Sequence, residues 1–154
     1  MSIRRTFREI TEEKVALFEK VNEQLHSFYR EIGLISKKKP SEPLNKFKLG
    51  FINQTLNKAN DLLGEEYRPF PDFMTFDIEA SIPTASDVVM MLDQYSESLK
   101  KFKADHYDVY NHGWHKPKAE LEENDENNGD ETGDEEEEYD EENGDDADED
   151  EDDE

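Results

Sequence analysis

Residues 119–154 cannot belong to a hydrophobic core, and this constrains the rest of the chain most. They hold 24 of the 42 Asp and Glu and none of the 18 Lys and Arg. Their only apolar side chains are Ala119, Leu121, Tyr139 and Ala147, too few to offset the conformational entropy of an ordered chain. Repulsion between neighbouring carboxylates extends such a segment further. The expectation is a disordered polyacidic tail. Whatever folds must then lie in residues 1–118, which contain all 18 bases and the remaining 18 acids and are formally neutral. The net charge of −24 sits wholly on the tail.

The first 118 residues carry 46 apolar side chains, including all nine Phe. That is enough for one modest core in a domain of this size. The expected organisation is a helical domain over 1–118 followed by the tail over 119–154. With no cysteine, disulfides, thiol catalysis and thiolate metal sites are excluded. Met1-Ser2-Ile3-Arg4-Arg5 is basic, but no apolar segment of signal-peptide type follows it. No apolar run approaches the ~20 residues needed to span a bilayer. The expectation is a soluble intracellular protein without membrane contact, cytoplasmic by default and nuclear as the eukaryotic variant.

Ile3, Phe7, Ile10, Leu17, Val21, Leu25, Phe28 and Ile32 follow steps of three, four and seven, which trace one helical face. Thr11 is a good N-cap, Glu12 and Glu13 suit a first turn, and Ile10 with Val15 fits a hydrophobic staple. Gly33 is the expected stop. Ser41 with Glu42 and Pro43 suggests the next start. From there Leu44, Phe47, Phe51, Ile52, Leu56, Ala59, Leu62 and Leu63 keep the helical period until Gly64. Pro69, Pro71 and Pro83 prevent a long helix in 65–83. The apolar content of that stretch predicts an ordered loop whose aromatic side chains plug the core. Thr84 and Asp87 approximate a capping box, with Ser86 as the alternative cap. The stripe after them runs through Val88, Met91, Leu92, Tyr95, Leu99, Phe102, His106, Val109 and Tyr110, to be closed by Gly113. The predicted fold is all-α: an antiparallel three-helix bundle with helices near 11–32, 44–63 and 86–111, extended by a short fourth N-terminal helix at 2–9. Its expected core contains Leu17, Val21, Phe28, Phe51, Leu56, Leu92, Leu99 and Phe102.

Chemistry-bearing clusters are sparse. Asp105, His106, Asp108, His112 and His115 gather imidazole and carboxylate groups that suit zinc or iron. His112 and His115 straddle Gly113 and Trp114, however, and no His-Glu-x-x-His spacing occurs. Histidines at a helix end, favoured by its dipole, are the simpler reading. Asn124 to Glu135 has Gly129 at the sixth and Glu135 at the twelfth position of an EF-hand loop, but Asn124 stands where Asp is needed and no amphipathic helix follows. Lys37, Lys38 and Lys39 could meet phosphates, yet the tethered polyanion would compete with nucleic acid for them. Thr132 before Gly133-Asp134-Glu135 has the shape of an acidophilic kinase site, as any Thr in an acidic tract does. No nucleophile elbow and no Gly-rich phosphate loop occurs. Glu65 with Glu66 and Asp72 with Asp77 are paired carboxylates of the kind any acidic loop holds. The reading names no catalytic, cofactor-binding or metal residues and no cofactor.

The tail resembles, in composition only, the acidic tails of histone chaperones and other binders of basic proteins. The expected function is that of a non-enzymatic binding or adaptor protein. Its domain would dock a partner through a helix face or the aromatic loop. Its tail would attract a basic protein or exclude nucleic acid. One alternative is a structural or oligomerising helical unit with a solubilising or autoinhibitory tail. Another is a small metal-dependent enzyme centred on His106, His112 and His115.

Overall fold

The structure, a computed structural model, describes residues 5–118, and the expectations for the tail, the EF-hand-like stretch and Thr132 lie outside these residues. Three helices dominate: α1 (Glu12–Lys38), α2 (Lys46–Tyr67) and α3 (Ala85–His106). A two-residue pair of strands comes next, β1 (Tyr107–Asp108) and β2 (Gly113–Trp114), antiparallel with Tyr107 opposite Trp114. The all-α three-helix architecture expected from the periodicity is the one observed.

α1 begins where its sequence signals place it. The Thr11 side chain accepts the Lys14 amide, Glu12 and Glu13 occupy the first turn, and Ile10 and Val15 are both buried. Carboxylates there complement the positive end of the helix dipole. α1 does not stop at Gly33 but continues to Lys38. Ile32 is fully buried and Ile35 packs against the core. Burying such side chains is worth about 1.5–3 kcal/mol each, which outweighs the roughly 1 kcal/mol cost of an interior glycine.

The cap of α2 also differs from expectation. Asn45, not Ser41, accepts the Lys48 amide. Residues 40–44 instead bond to the entrance of α3: Leu44 N–H donates to Pro83 O, Ala85 N–H to Glu42 O and Ser86 N–H to Pro40 O. At the far end, Gly64 is non-helical at φ 62° and ψ −173°, so the glycine breaks α2 as expected and one further turn leads to Tyr67. α3 carries the full capping box: Thr84 accepts the Asp87 amide, and the Asp87 carboxylate accepts the Thr84 amide. It ends at His106 rather than near 111. The chain then turns into β1, and Val109 and Tyr110, expected on the buried stripe, are exposed. Residues 5–10 form no helix. Their amides bond to the end of α3 and to the segment beyond β2, Arg8 N–H donating to Asp105 O and Ile10 N–H to His115 O.

These bonds define the topology. α1 runs antiparallel to both other helices, and α2 and α3 start together and end together, so they run parallel. Residues 68–84 must therefore return along the length of the bundle. Two asparagines of α2 pin this return: Asn53 donates to Phe76 O and accepts the Phe76 amide, and Asn60 donates to Met74 O. The buried Tyr95 hydroxyl donates to Asn60 Oδ1 at 2.6 Å. Phe73, Phe76 and Ile78 of the return pack against the core, as the apolar content of that loop predicted, whereas Phe70, Met74 and Ile82 are exposed.

Val21, Leu25, Leu49, Ile52, Leu56, Val88, Leu92 and Leu99 form the centre of the core. Of the expected core residues, Val21, Leu56, Leu92, Leu99 and Phe102 are buried, while Leu17 and Phe28 are half-buried at its edge. Phe51 is a correction: 47 % of its surface is exposed. Leu49, Ile52, Leu56, Ala59 and Leu63 are the buried stripe of α2, and Phe51 lies about 100° around the helix from Ile52.

Candidate binding surfaces

The histidines at the end of α3 have structural surroundings. His106 is buried, with its ring stacked 4.0 Å from Phe102 and 5.8 Å from Tyr67. Its Nδ1 lies 2.7 Å from Phe102 O. A carbonyl only accepts, so Nδ1 carries the proton. His112 holds a positive φ of 53° in the turn between β1 and β2. His115 contributes its backbone, its N–H donating to His106 O. Asp105 accepts from the Tyr67 hydroxyl and faces Arg5. Desolvation pushes the Asp108 carboxyl up, but hydrogen bonds from Asn111 and Tyr110 outweigh it, and its pKa falls below the ordinary value. Among the described residues, no three His, Asp or Glu side chains are arranged to hold a metal ion.

One carboxylate of each pair, Asp77 in the return loop and Glu66 at the end of α2, is also in structural use. Asp77 accepts the Glu79 and Ala80 amides. Glu66 receives Arg8 in a bidentate pair at 2.6 and 2.7 Å. That contact lowers the Glu66 carboxyl and raises the guanidinium. Burial, reinforced by the bond to Asp105, pushes the Tyr67 phenol up to about 12.

Two exposed apolar grooves flank the C-terminal half of α1. On the α2 side, Phe47 and Phe51 stand one turn apart with ring centroids 5.0 Å apart, nearly perpendicular. Phe47 is 75 % exposed. The two rings border a groove of about 310 Å³ floored by Phe28, Ile32 and Ile52. Lys48 at its rim is paired with Glu31 at 3.0 Å. On the α3 side, a groove of about 480 Å³ runs along Tyr29, Gly33, Leu34 and Val89, with Arg30 and Lys37 at its edges. Leu34 is 63 % exposed.

Sequence reasoning missed the Phe47–Phe51 ridge because Phe51 fits the helical period next to Ile52. The available signal was that α2 carries two overlapping stripes. Leu49, Ile52, Leu56, Ala59 and Leu63 suffice for one core-facing face, which leaves Phe47 and Phe51 as a second face. The lysines at 37–39 end α1, where cations complement the helix dipole, and Lys39 pairs with Glu42 at 3.5 Å.

No helix among the described residues is long and apolar enough to cross a membrane. No protein-family model, curated protein or solved structure matches this chain.

Proposed function

We propose that this chain is a non-enzymatic binding protein, with residues 1–118 as the docking domain and 119–154 as a polyanion. The Phe47–Phe51 ridge docks a basic protein partner that the tail attracts by charge. The supporting observation is the ridge itself. Two adjacent phenylalanine rings left in water beside an apolar groove are what a monomer's surface seldom shows and a docking site needs. Covering them recovers about 25 cal/mol per Å² of apolar area removed from water. A partner of opposite charge suits this site better than a second copy of the chain, because two tails of −24 repel. Charge complementarity of this kind speeds encounter and weakens with salt.

The test uses the full chain and two synthetic peptides of equal charge. One is an amphipathic Lys/Leu helix and the other a Lys/Gly chain without apolar residues. Neutralising the tail with Gln and Asn should weaken both peptides strongly at low salt, whereas scrambling the acids should change little. Phe47→Ser with Phe51→Ser should weaken the amphipathic peptide alone. Affinity for both peptides that is undiminished when the tail is neutralised would remove the polyanion from the reading. Dimerisation through the ridge, read by sedimentation, would assign it to self-association instead.

A further inference from the structure

We propose that the groove between α1 and α3 is a docking site for this chain's own tail. Tyr139 is the apolar anchor, and the carboxylates on either side of it meet Arg30 and Lys37. This rests on the reading of residues 119–154 as a polyanion and goes beyond it by naming an internal address.

The groove is shaped by a missing side chain. Gly33 lies inside α1, where glycine costs about 1 kcal/mol relative to alanine. A Cβ placed there would meet no atom within 4 Å. No close approach of another described element requires the glycine, and its missing side chain leaves the floor of the groove open. Tyr29, Leu34 and Val89 wall it with apolar surface.

Its charge has one sign. Among the described residues, no carboxylate lines the groove. Among them too, Lys39 and Lys48 are paired with carboxylates, whereas Arg30 and Lys37, like several other cations of the surface, have no carboxylate within ion-pair distance. These two cations are seven residues apart on one helix, about 10 Å at ~1.5 Å per residue. The groove thus asks for an apolar group flanked by two acids roughly 10 Å apart.

The tail contains that arrangement around an aromatic residue once. Tyr139 is its sole aromatic residue, preceded by Glu135 to Glu138 and followed by Asp140, Glu141 and Glu142. In extended chain, residues three apart, such as Glu138 and Glu141, span about 10 Å. Reach separates Tyr139 from Leu121. Lys116 Nζ is 3.5 Å from Glu12 in the first turn of α1, so the tail departs near that end. Gly33 lies about 32 Å further along the helix. Leu121 is three residues past Lys118 and extends at most ~11 Å. The segment from Lys118 to Tyr139 has a typical coil span of about 25 Å and a contour near 70 Å, so it covers the distance. Tethering at this length corresponds to an effective concentration on the order of millimolar, which makes a weak contact sufficient. A basic partner that takes up the tail would then uncover the groove.

The absence of native cysteine allows one nitroxide label at Glu142→Cys on the full chain, with no partner present. At about 50 mM salt, where the Debye length exceeds ~10 Å, paramagnetic loss of amide intensity should concentrate at Gly33, Leu34, Lys37 and Val89. Tyr139→Ser, the pair Arg30→Glu with Lys37→Glu, and Gly33→Leu should each abolish that loss. The pair Lys46→Glu with Lys48→Glu, on the α2 side, should leave it intact. Broadening spread evenly over all cationic surfaces, broadening that survives Tyr139→Ser, or none at all would overturn the proposal. Since the sample holds no partner, such a result leaves binding of the basic peptides standing. Failure of those peptides to bind leaves this contact standing in turn.

Discussion

Gly33→Ala and Gly50→Ala each place a methyl group inside a helix where a Cβ would meet no atom within 4 Å. Neither position has a positive φ, whereas Gly64 does. The three glycines therefore separate backbone conformation from packing. At Gly33 and Gly50 alanine removes entropy from the unfolded chain and adds no clash, so each substitution should stabilise by about 0.4–1 kcal/mol. Together they should add roughly 1–2 kcal/mol if the sites are independent. In a domain of this size that corresponds to an increase in Tm of roughly 4–8 °C. Gly64→Ala should act oppositely. Its φ of 62° with ψ of −173° is backbone that is essentially glycine-only and costs a residue with a Cβ about 1–3 kcal/mol. The assay is urea unfolding of the full chain followed by circular dichroism at the helix band. The midpoint should move up for the first two variants and down for the third, with an unchanged slope. Destabilisation by Gly33→Ala would mean that this glycine is held by a contact or a conformation absent from the structure, and the open groove floor would fall with it. A neutral Gly64→Ala would contradict the kink in α2.

Three further outcomes test other parts of the structure. Tyr95→Phe should destabilise by about 1–3 kcal/mol, because it leaves Asn60 Oδ1 buried without its 2.6 Å donor, and an unchanged urea midpoint would show that this bond does not hold the return loop. Thr84→Ala should cost about 1 kcal/mol by removing half of the capping box, and Thr84→Asn should restore most of it in the same measurement. Raising the pH should destabilise the domain between pH 10 and 12. The folded state holds the Tyr67 phenol neutral up to about 12, so its contribution is complete below 10 and is lost as the pH climbs through 12. Burial of Tyr95 pushes in the same direction. Tyr67→Phe should flatten part of this decline, and an equal alkaline slope in both proteins would refute the assignment.

Local signals located the helices well where they were chemically specific. The Thr11 cap with Glu12 and Glu13, the capping box of Thr84 and Asp87, and the break at Gly64 each satisfy a backbone group within three or four residues. Such interactions are complete within the segment and can be read from it. Ser41 looked equally good as a cap, but residues 40–44 make their bonds with the entrance of α3, which is remote in sequence. His106 belonged to the expected stripe and is buried, while Val109 and Tyr110 extend the same period into a turn. The period alone does not say where a helix ends. As for the candidate surfaces, the spacing showed Phe47 and Phe51 as a second stripe on α2 but did not say which of the two stripes is buried.

Reading along the chain already places apolar surface and balanced charge before residue 119, acid in the remainder, and amphipathic helices in the first part. Those conclusions rest on composition and on periods of three to four residues. Packing between the helices carries α1 through Gly33 and makes α2 and α3 run parallel, with a return pinned by Asn53 and Asn60. It also decided that Leu49 rather than Phe51 faces the core. The physical reason is that helix periodicity is a property of one segment. Which of two overlapping stripes is buried, and whether an unfavourable glycine is tolerated, depends on the free energy of burial against neighbouring helices. Those neighbours are set by the path of the whole chain. The grooves beside α1 are what this packing leaves uncovered.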